Sequence, residues 1–347
     1  MSAAGPPGID AAGVTAWFRD EVPAARPPLR FERLPGGRSN LTYRVRDAVG
    51  ADLVLRRPPL HGVLQSAHDM AREHRIIAAL AGTDVPVPAA VALCEDPAVT
   101  GAPFYVMAYV GGTVPRDEAT VAAAFDERAR AAAADSLVDA LVALHRVDPD
   151  AVGLGQLGRR EGYLERQLRR WKRQLEQSRT RRLPVLDEVH RRLVASIPAQ
   201  VGPARVVHGD YRLDNVVLSP AGWVLAVLDW ELCTLGDPLA DVGLLLVYWA
   251  EPGDTALPLP TAPTTLPGFP TRAELTAAYA ARSGRAVDDL DYYQAFGYWK
   301  LAVILEGVHA RYRAGAYGQG DDTWRAFADT VVQLADQALE ATGRAGR

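Results

Sequence analysis

The hydrophobic pattern changes from mainly strand-like to mainly helical near residues 111–112, and this change constrains the fold more than any other feature of the sequence. Before it, short segments read as strands joined by tight turns, and the predicted strands are 30–34, 42–46, 52–56, 91–94 and 104–107. After it, apolar residues recur at helical spacing, and the predicted helices include 119–145, 161–182 and 186–197. Strands followed by helices predict an α+β fold with a small β-rich N-terminal lobe and a large helical C-terminal lobe.

The length of the chain also favours two lobes. It has 347 residues, and chains above about 250–300 residues usually divide into two domains or lobes. We predict an N-terminal helix and linker at 1–28, a first lobe at 29–110 and a second lobe at 111–347.

Four further segments complete this outline. We predict a helix over 66–80 in the first lobe and short strands at 205–207 and 224–228 in the second. The stretch 251–270 contains six prolines, too many for a regular element. We therefore expect a long surface loop there, a candidate lid over a binding site.

Composition narrows the classes of protein to consider. The chain carries 38 Lys+Arg and 42 Asp+Glu, a net charge of −4, which gives no electrostatic reason to expect a nucleic acid or an anionic membrane as partner. Its two cysteines form no C-x-x-C pair, and no apolar run reaches about 18 residues. No basic-then-apolar signal pattern opens the sequence. We expect a cytoplasmic protein with reduced cysteines, and the sequence leaves the oligomeric state open.

The strongest chemical signal is the segment 208–215, HGDYRLDN, followed by Asp229 after an apolar strand. It has the form H-x-D-x-x-x-x-N, in which the carboxylate accepts a hydroxyl proton and the amide oxygen binds Mg²⁺. Asp210 and Asn215 have the required spacing, and Asp229 supplies a second carboxylate for a cation that prefers oxygen ligands. The alternative is that Asp210 and Asn215 only cap turns.

A second signal is the sequence Gly-Gly-Arg-Ser-Asn at 36–40, between two predicted strands. Glycines allow backbone N–H groups to approach a phosphate closely, and the hydroxyl of Ser39 adds a donor. A plain hairpin turn explains the glycine pair about equally well.

The third signal is a cation followed by a helical carboxylate. Arg56 ends a predicted strand, and Glu73 lies 17 residues later in the next helix. A strand cation oriented by such a carboxylate contacts nucleotide phosphates in kinases, and arginine offers a permanent charge in a bidentate fork. A surface ion pair is an equally good explanation of these two residues alone.

The fourth signal is the strand at 104–107, which runs into Gly111 and Gly112. A purine ring could lie beside Met107, with the backbone of Ala108 and Val110 hydrogen-bonding to its edge, because ligand sites favour domain boundaries. A core strand followed by a turn is the simpler explanation of this segment alone.

Together these segments resemble the aminoglycoside phosphotransferase superfamily, which has a bilobal protein-kinase-like fold. The resemblance covers about residues 31–312 and is closest to the kinase-like N-terminal domain of long acyl-CoA dehydrogenases. The segments that carry it are 37–43, 55–59, 72–73, 207–215, 228–231, 236–241, 295–302 and 306–307.

The resemblance implies a kinase that transfers the γ-phosphate of ATP or GTP to a hydroxyl of a small molecule. It assigns Asp210 as catalytic base and Asn215 and Asp229 as Mg²⁺ ligands. The implied nucleotide-binding residues are Ser39, Asn40, Arg56, Glu73, Met107, Ala108 and Val110.

Two departures separate the chain from protein kinases. Arg56 stands where they have lysine, as is usual in the resembling subgroup, and Asp-Trp-Glu at 229–231 replaces Asp-Phe-Gly with no A-P-E segment after it. A metabolite or antibiotic kinase therefore fits better than a protein kinase. A kinase-fold binding protein without turnover is the alternative.

Two acceptor classes stay open: a hydroxyacyl thioester or hydroxy acid, and an antibiotic modified in resistance or biosynthesis. Residues 159–182 hold ten cations against three carboxylates, which suits an anionic acceptor better than a polycationic aminoglycoside. A solvated helix face is the simpler explanation of such a charge run.

The sequence also predicts contacts for two residues near these motifs, Asp241 and Lys300. Asp241 is expected to accept hydrogen bonds from the backbone of the 208–215 segment. Lys300 lies in an apolar stretch and is expected either to pair with a carboxylate or to reach the substrate cleft.

Overall fold

The structure is a computed structural model that describes residues 5–35, 40–60, 69–254, 257, 259–313 and 323–345. The chain forms two compact units. The first comprises residues within 1–112 together with 225–231, and the second comprises residues within 113–224 and 232–347. The boundaries expected from the sequence, after residues 28 and 110, stay predictions.

In the part that the structure describes, the first unit contains a five-stranded antiparallel sheet and two helices, one before the first strand and one between the third and fourth strands. Its elements are α1 (Ala11–Glu21), β1 (Arg30–Arg33), β2 (Leu41–Arg46), β3 (Asp52–Arg57), α2 (Met70–Leu80), β4 (Ala90–Cys94) and β5 (Phe104–Ala108). The strand order is β1-β2-β3-β5-β4, and every pairing is antiparallel. The five strands predicted from the sequence are therefore confirmed.

The two faces of this sheet have different roles because side chains alternate along a strand. Leu55 and Val106, which are opposite each other in the register, pack in the core with Phe18 of α1. Arg56 and Tyr105, the next pair in the register, therefore point to the other face. This alternation places a buried arginine on the face that contacts Glu73 of α2.

The second unit is mostly helical. Its helices are α3 (Glu118–Ala124), α4 (Glu127–Arg146), α5 (Tyr163–Ser178), α6 (Pro184–Ala195), α7 (Leu239–Tyr248), α8 (Arg272–Ser283), α9 (Leu290–Arg313) and α10 (Thr323–Arg344). Its short strands are β6 (Arg205–Val207), β7 (Val216–Leu218) and β9 (Thr234–Gly236). Strand β8 (Val224–Val227) begins at the last residue of 113–224 and continues into the segment 225–231, which belongs to the first unit. The 24-residue helix α9 packs against α5, α6, α7 and α10.

The predicted helix over 119–145 is wrong in one respect: it is two helices. Phe125 is extended and buried, and the Asp126 side chain accepts a hydrogen bond from the N–H of Ala129 at 2.8 Å, starting α4. An aspartate at this position stabilises the start of a helix. The extended Phe125 ends α3 at Ala124, and Asp126 then starts α4. The predicted helix over 161–182 is shorter, at Tyr163–Ser178.

The short strands β7 and β9 have no counterpart among the predicted elements. The antiparallel pairing of β6 with β9, from Arg205 opposite Gly236 to Val207 opposite Thr234, fixes the start of the segment 208–215. The described part of the proline-rich stretch 251–270 is irregular apart from one 3₁₀ turn, Pro263–Thr265. None of the helices within the described ranges is both long enough and apolar enough to cross a membrane.

Candidate active site

The segment 208–215 begins directly after β6 and is fixed by a buried carboxylate. Asp241 of α7 accepts hydrogen bonds from the backbone N–H groups of His208, at 2.6 Å, and Gly209, at 2.8 Å. Burial alone would raise the pKa of Asp241, but its hydrogen bonds with His145 and with the backbone N–H of Gly209 lower the pKa below its ordinary value. The expected contact between Asp241 and this backbone is therefore confirmed.

Gly209 is required by its conformation and by its surroundings. Its φ is +82°, a region that side chains other than glycine rarely adopt. A Cβ atom at this position would lie 2.7 Å from the carbonyl oxygen of Leu232. The close approach therefore fixes the backbone immediately before Asp210.

Asp210 and Asn215 contact each other, as their spacing predicts. Asn215 Nδ2 donates to the Asp210 backbone oxygen at 2.9 Å and to Asp210 Oδ2 at 3.1 Å. Among the residues that the structure describes, no group donates to Asn215 Oδ1. This amide therefore holds the carboxylate with its nitrogen and keeps its oxygen available for a cation.

Two residues beside Asp210 carry no predicted role. Arg212 Nε lies 3.4 Å from Asp210 Oδ2, and its guanidinium lies 4.9 Å from the centre of the Tyr248 ring. Burial, followed by the charge of Asp210, raises the pKa of the Tyr248 hydroxyl. Arg212 could have been suspected from its place in the motif, whereas Tyr248 at the end of α7 gives no local signal.

Arg212 and Tyr248 border a recess that is open to solvent. Its lining combines aromatic and apolar surface with two arginines and one carboxylate, including Arg116, Arg212, Asp214, Tyr248, Trp249 and Pro263. Arg212 Nη1 lies 3.1 Å from Asp214 Oδ2. The recess is therefore a mixed apolar and charged surface next to Asp210.

In the first unit, Arg56 is buried among carboxylates. Its Nε donates to Glu73 Oε2 at 3.0 Å and its Nη2 to Asp229 Oδ1 at 2.6 Å. Burial alone would lower the pKa of Arg56, but the charges of Asp229 and Glu73 raise it. Burial raises the pKa of Glu73, and the positive charge of Arg56 opposes that rise. The predicted Arg56–Glu73 pair is therefore present, and it is buried.

Asn40 belongs to the same group of side chains. It is 1% exposed, and its Nδ2 donates to Glu73 Oε1 and to Glu231 Oε2, both at 3.2 Å. Glu231 also lies 3.9 Å from the Arg56 guanidinium. Three carboxylates thus surround the Arg56 guanidinium, and Arg72 brings a second guanidinium to Glu231, with Nη1 3.4 Å from its backbone oxygen. Glu231 was within the resembling segment, but sequence reasoning gave it no role.

Asp229 adopts a left-handed backbone conformation, with φ of 65°. Such a φ is uncommon outside glycine and is concentrated at functional sites. Its side chain is 31% exposed although one oxygen bonds to Arg56. The second carboxylate oxygen is therefore available for another partner.

Three residues, Met107, Ala108 and Val110, are predicted from the sequence to bind a purine at the end of β5. Met107 is buried in β5, and the N–H of Ala108 donates to the carbonyl of Ala89 at 2.8 Å. Val110 follows the strand, and its backbone N–H and C=O have no hydrogen-bond partner within the described chain. Ser39, the remaining predicted phosphate contact, lies outside the described residues.

The donor chemistry of these side chains fits Mg²⁺. Asn215 offers an amide oxygen and Asp229 a carboxylate oxygen, the ligand types that Mg²⁺ prefers alongside phosphate oxygens. Within the described ranges there is no cluster of three or more His, Cys, Asp or Glu suited to a metal ion. Asn215 and Asp229 therefore each offer an oxygen of a type that a Mg²⁺ ion would accept.

The chain is similar in sequence to members of the acyl-CoA dehydrogenase family. The chain is 36% identical over 292 residues to mouse acyl-CoA dehydrogenase family member 10, covering 83% of this chain and 27% of that protein. It spans 27% of the length of this relative and 44% of the length of a second one, rat acyl-CoA dehydrogenase family member 11. These relatives confirm the resemblance to the kinase-like part of long acyl-CoA dehydrogenases.

Two solved structures share the fold. One, from Ralstonia eutropha JMP134 and provisionally named an aminoglycoside phosphotransferase, matches with a TM-score of 0.81 and 33% identity over 96% of this chain and 98% of that one. The GDP complex of aminoglycoside 2'-phosphotransferase-IIIa matches with a TM-score of 0.61 and 17% identity over 96% and 99%. The kinase-like fold expected from the sequence is therefore confirmed.

The sequence model of the phosphotransferase enzyme family matches residues 30–296. This range includes the sheet, the segment 208–215, Asp229 and most of the helices that pack around them. The chain therefore belongs to the phosphotransferase enzyme family.

Proposed function

We propose that the chain is a kinase that transfers the γ-phosphate of ATP or GTP to a hydroxyl group of a small molecule. The observation that carries the proposal is the arrangement at Asp210, whose carboxylate is held by Asn215 while Asp241 fixes the backbone before it. Phosphoryl transfer needs mainly positioning and charge neutralisation, and this loop is built for both.

Each of the other residues has a role in this proposal. Asp210 orients the acceptor hydroxyl and takes its proton. Asn215 Oδ1 and the second oxygen of Asp229 are the proposed Mg²⁺ ligands, and Mg²⁺ would supply charge neutralisation at the phosphates. Arg56, oriented by Glu73, is the proposed phosphate contact.

The remaining nucleotide contacts are proposed on weaker grounds. Val110 supports purine binding because its backbone polar groups have no partner in the described chain, and Ala108 and Met107 border it. Ser39 is proposed as a phosphate donor. Asn40 is buried between Glu73 and Glu231, so it acts by orienting these carboxylates.

For the acceptor, we propose an anionic hydroxylated molecule such as a hydroxy acid or hydroxyacyl thioester. Arg166 of α5 donates a hydrogen bond to the backbone carbonyl of Arg159. Burial, followed by the charge of Arg159, lowers the pKa of Arg166. Arg170, also on α5, acts electrostatically on Lys300, which contacts the residue before Asp210. The basic helix thus adds positive charge in the neighbourhood of the catalytic loop. The acyl-CoA dehydrogenase relatives favour the same acceptor class.

The test is phosphoryl transfer to a panel of acceptors with Mg²⁺ and ATP or GTP, read by product mass. The panel contains hydroxy acids, hydroxyacyl-CoAs, nucleoside antibiotics and aminoglycosides. Asp210→Ala is compared with Asp150→Ala, because Asp150 is a 63% exposed partner of Arg160. We expect a product heavier by one phosphate with the anionic acceptors, lost in Asp210→Ala and kept in Asp150→Ala.

Other results would decide against parts of the proposal. Equal turnover in wild type and Asp210→Ala would exclude Asp210 as the base. Phosphorylation of antibiotics alone would assign the acceptor to the other class. Nucleotide binding without product from any acceptor would favour the binding-protein alternative.

A further inference from the structure

A buried lysine contacts the backbone immediately before Asp210. Lys300 of α9 is 6% exposed, and its Nζ donates to the carbonyl oxygen of Gly209 at 2.5 Å. From the sequence, Lys300 is expected to pair with a carboxylate or to reach the substrate cleft. Its hydrogen bond goes instead to a backbone carbonyl. Burying an ammonium group is costly, so the contact needs a physical explanation.

The choice of residue type points to a specific geometry. Two of the 38 basic residues are lysines, Lys172 and Lys300, and the rest are arginines. Lys172 pairs with Asp187 at 2.6 Å in a partly exposed position. Lys300 is the buried one, where a compact ammonium can approach a single carbonyl and a broad guanidinium fork needs more room.

The electrostatic surroundings of Lys300 include the proposed base. Burial lowers the pKa of Lys300, while the negative charges of Asp210 and Asp241 raise it. Its Nζ also lies 5.5 Å from the centre of the Trp171 ring on α5. The ammonium is therefore buried between an aromatic ring and the backbone of the catalytic loop.

The held peptide group is one that could otherwise rotate. Gly209 lies at φ +82°, and glycine can adopt either sign of φ at little cost. Asp241 holds the N–H of Gly209, and the N–H of Asp210 donates to His208 Nδ1 at 3.2 Å. The bond from Lys300 adds the carbonyl, so the polar groups of this backbone are fixed up to Asp210.

We propose that Lys300 is a positioning residue: it fixes the Gly209–Asp210 peptide group and so the direction of the Asp210 carboxylate. This inference rests on the proposed function, in which Asp210 is the base. Lys300 acts through the backbone and touches neither nucleotide nor acceptor.

The first test compares Lys300→Met with Arg46→Met in phosphoryl transfer. A displacement of a reacting group by about 1 Å can cost roughly 100-fold in rate, so we expect kcat to fall by about 10- to 100-fold in Lys300→Met. The KM for the nucleotide should stay within about twofold, because uniform binding is untouched. Arg46→Met should keep both constants, because Arg46 pairs with Glu32 in a position that is more than half exposed. Lys300→Arg should regain part of kcat because its guanidinium also donates.

The second test needs no acceptor. Amide hydrogen exchange over 207–215 should be faster in Lys300→Met than in wild type, with exchange in α7 unchanged. If Lys300→Met does not fold, Lys300→Gln replaces it, because the amide still donates but carries no charge. This variant should show intermediate exchange.

The outcomes separate the two proposals. A folded Lys300→Met protein with wild-type kcat and wild-type exchange over 207–215 overturns the positioning role. An equal loss of kcat in Arg46→Met also overturns it. A wild-type protein without turnover on any acceptor overturns the proposed function, and the exchange data then decide the role of Lys300 by themselves.

Discussion

Arg56 Nη2 donates a hydrogen bond to Asp229 Oδ1 at 2.6 Å, although the two residues are 173 positions apart in the sequence. The same guanidinium bonds to Glu73 through Nε. Arg56 therefore links a strand, a helix and the residue proposed to bind Mg²⁺, and its charge offsets carboxylates that would repel one another.

Removing Arg56 should destabilise the protein and weaken nucleotide binding. Arg56→Met leaves the buried carboxylate of Glu73 without its cation, a loss that typically costs about 3–5 kcal/mol. Urea unfolding measures this change, and nucleotide titration measures the loss of affinity. Arg46→Met is the matched control, because its pair with Glu32 is more than half exposed and should cost less than about 1 kcal/mol. Equal effects of both variants would contradict the assignment.

Asp229→Asn should weaken the response to Mg²⁺ more than it weakens nucleotide binding without metal. The amide keeps an oxygen but loses the negative charge that Mg²⁺ favours. We expect the Mg²⁺ concentration for half-maximal activity to rise about tenfold, the effect of about 1.4 kcal/mol. Activity measured against Mg²⁺ concentration checks this, with Asp150→Asn as the exposed control. An unchanged Mg²⁺ dependence would remove Asp229 from the metal site.

Gly209→Ala should impair the catalytic loop. The new Cβ would lie 2.7 Å from the carbonyl oxygen of Leu232 in addition to the strained φ, and residues in such conformations cost about 1–3 kcal/mol. Gly202→Ala separates the two causes, because Gly202 has φ of +81° with nothing within 4 Å. Thermal unfolding and kcat should both be affected more in Gly209→Ala. Equal behaviour would show that the close approach to Leu232 is unimportant.

Stability should fall as the pH drops below about 6.5 because of His145. Burial lowers the pKa of this histidine, so the unfolded chain binds a proton in a pH range where the folded chain does not. Its contribution is therefore present above the unfolded pKa and is lost as the pH falls through that value and then through the lower folded pKa. Urea unfolding at several pH values from 8 to 5.5 measures the slope.

The variant His145→Gln should reduce that slope without removing it. The pKa values of His74, His190 and His309 are also lowered by burial, and they contribute with the same sign. A slope that is identical in wild type and His145→Gln would show that His145 titrates alike in both states.

Local chemistry could be read from the sequence because its partners are close along the chain. Asp210 and Asn215 are five residues apart, and the contact between them forms within one loop. The five strands follow from short extended segments separated by turns, of which 42–46 alternates, and Arg56 and Glu73 follow from the spacing of a strand and the next helix. In each case a short-range pattern sets the geometry.

The tertiary structure alone decided the contacts that join distant segments. Glu231 reaches Asn40 across 191 residues, and Lys300 reaches Gly209 across 91. Such contacts depend on how whole helices and sheets pack, and a buried lysine or asparagine has no periodicity that names its partner. The sequence therefore determined the fold class and the spacing of the residues in the segment 208–215, whereas packing decided which buried polar groups hold that segment and the carboxylates around Arg56 in place.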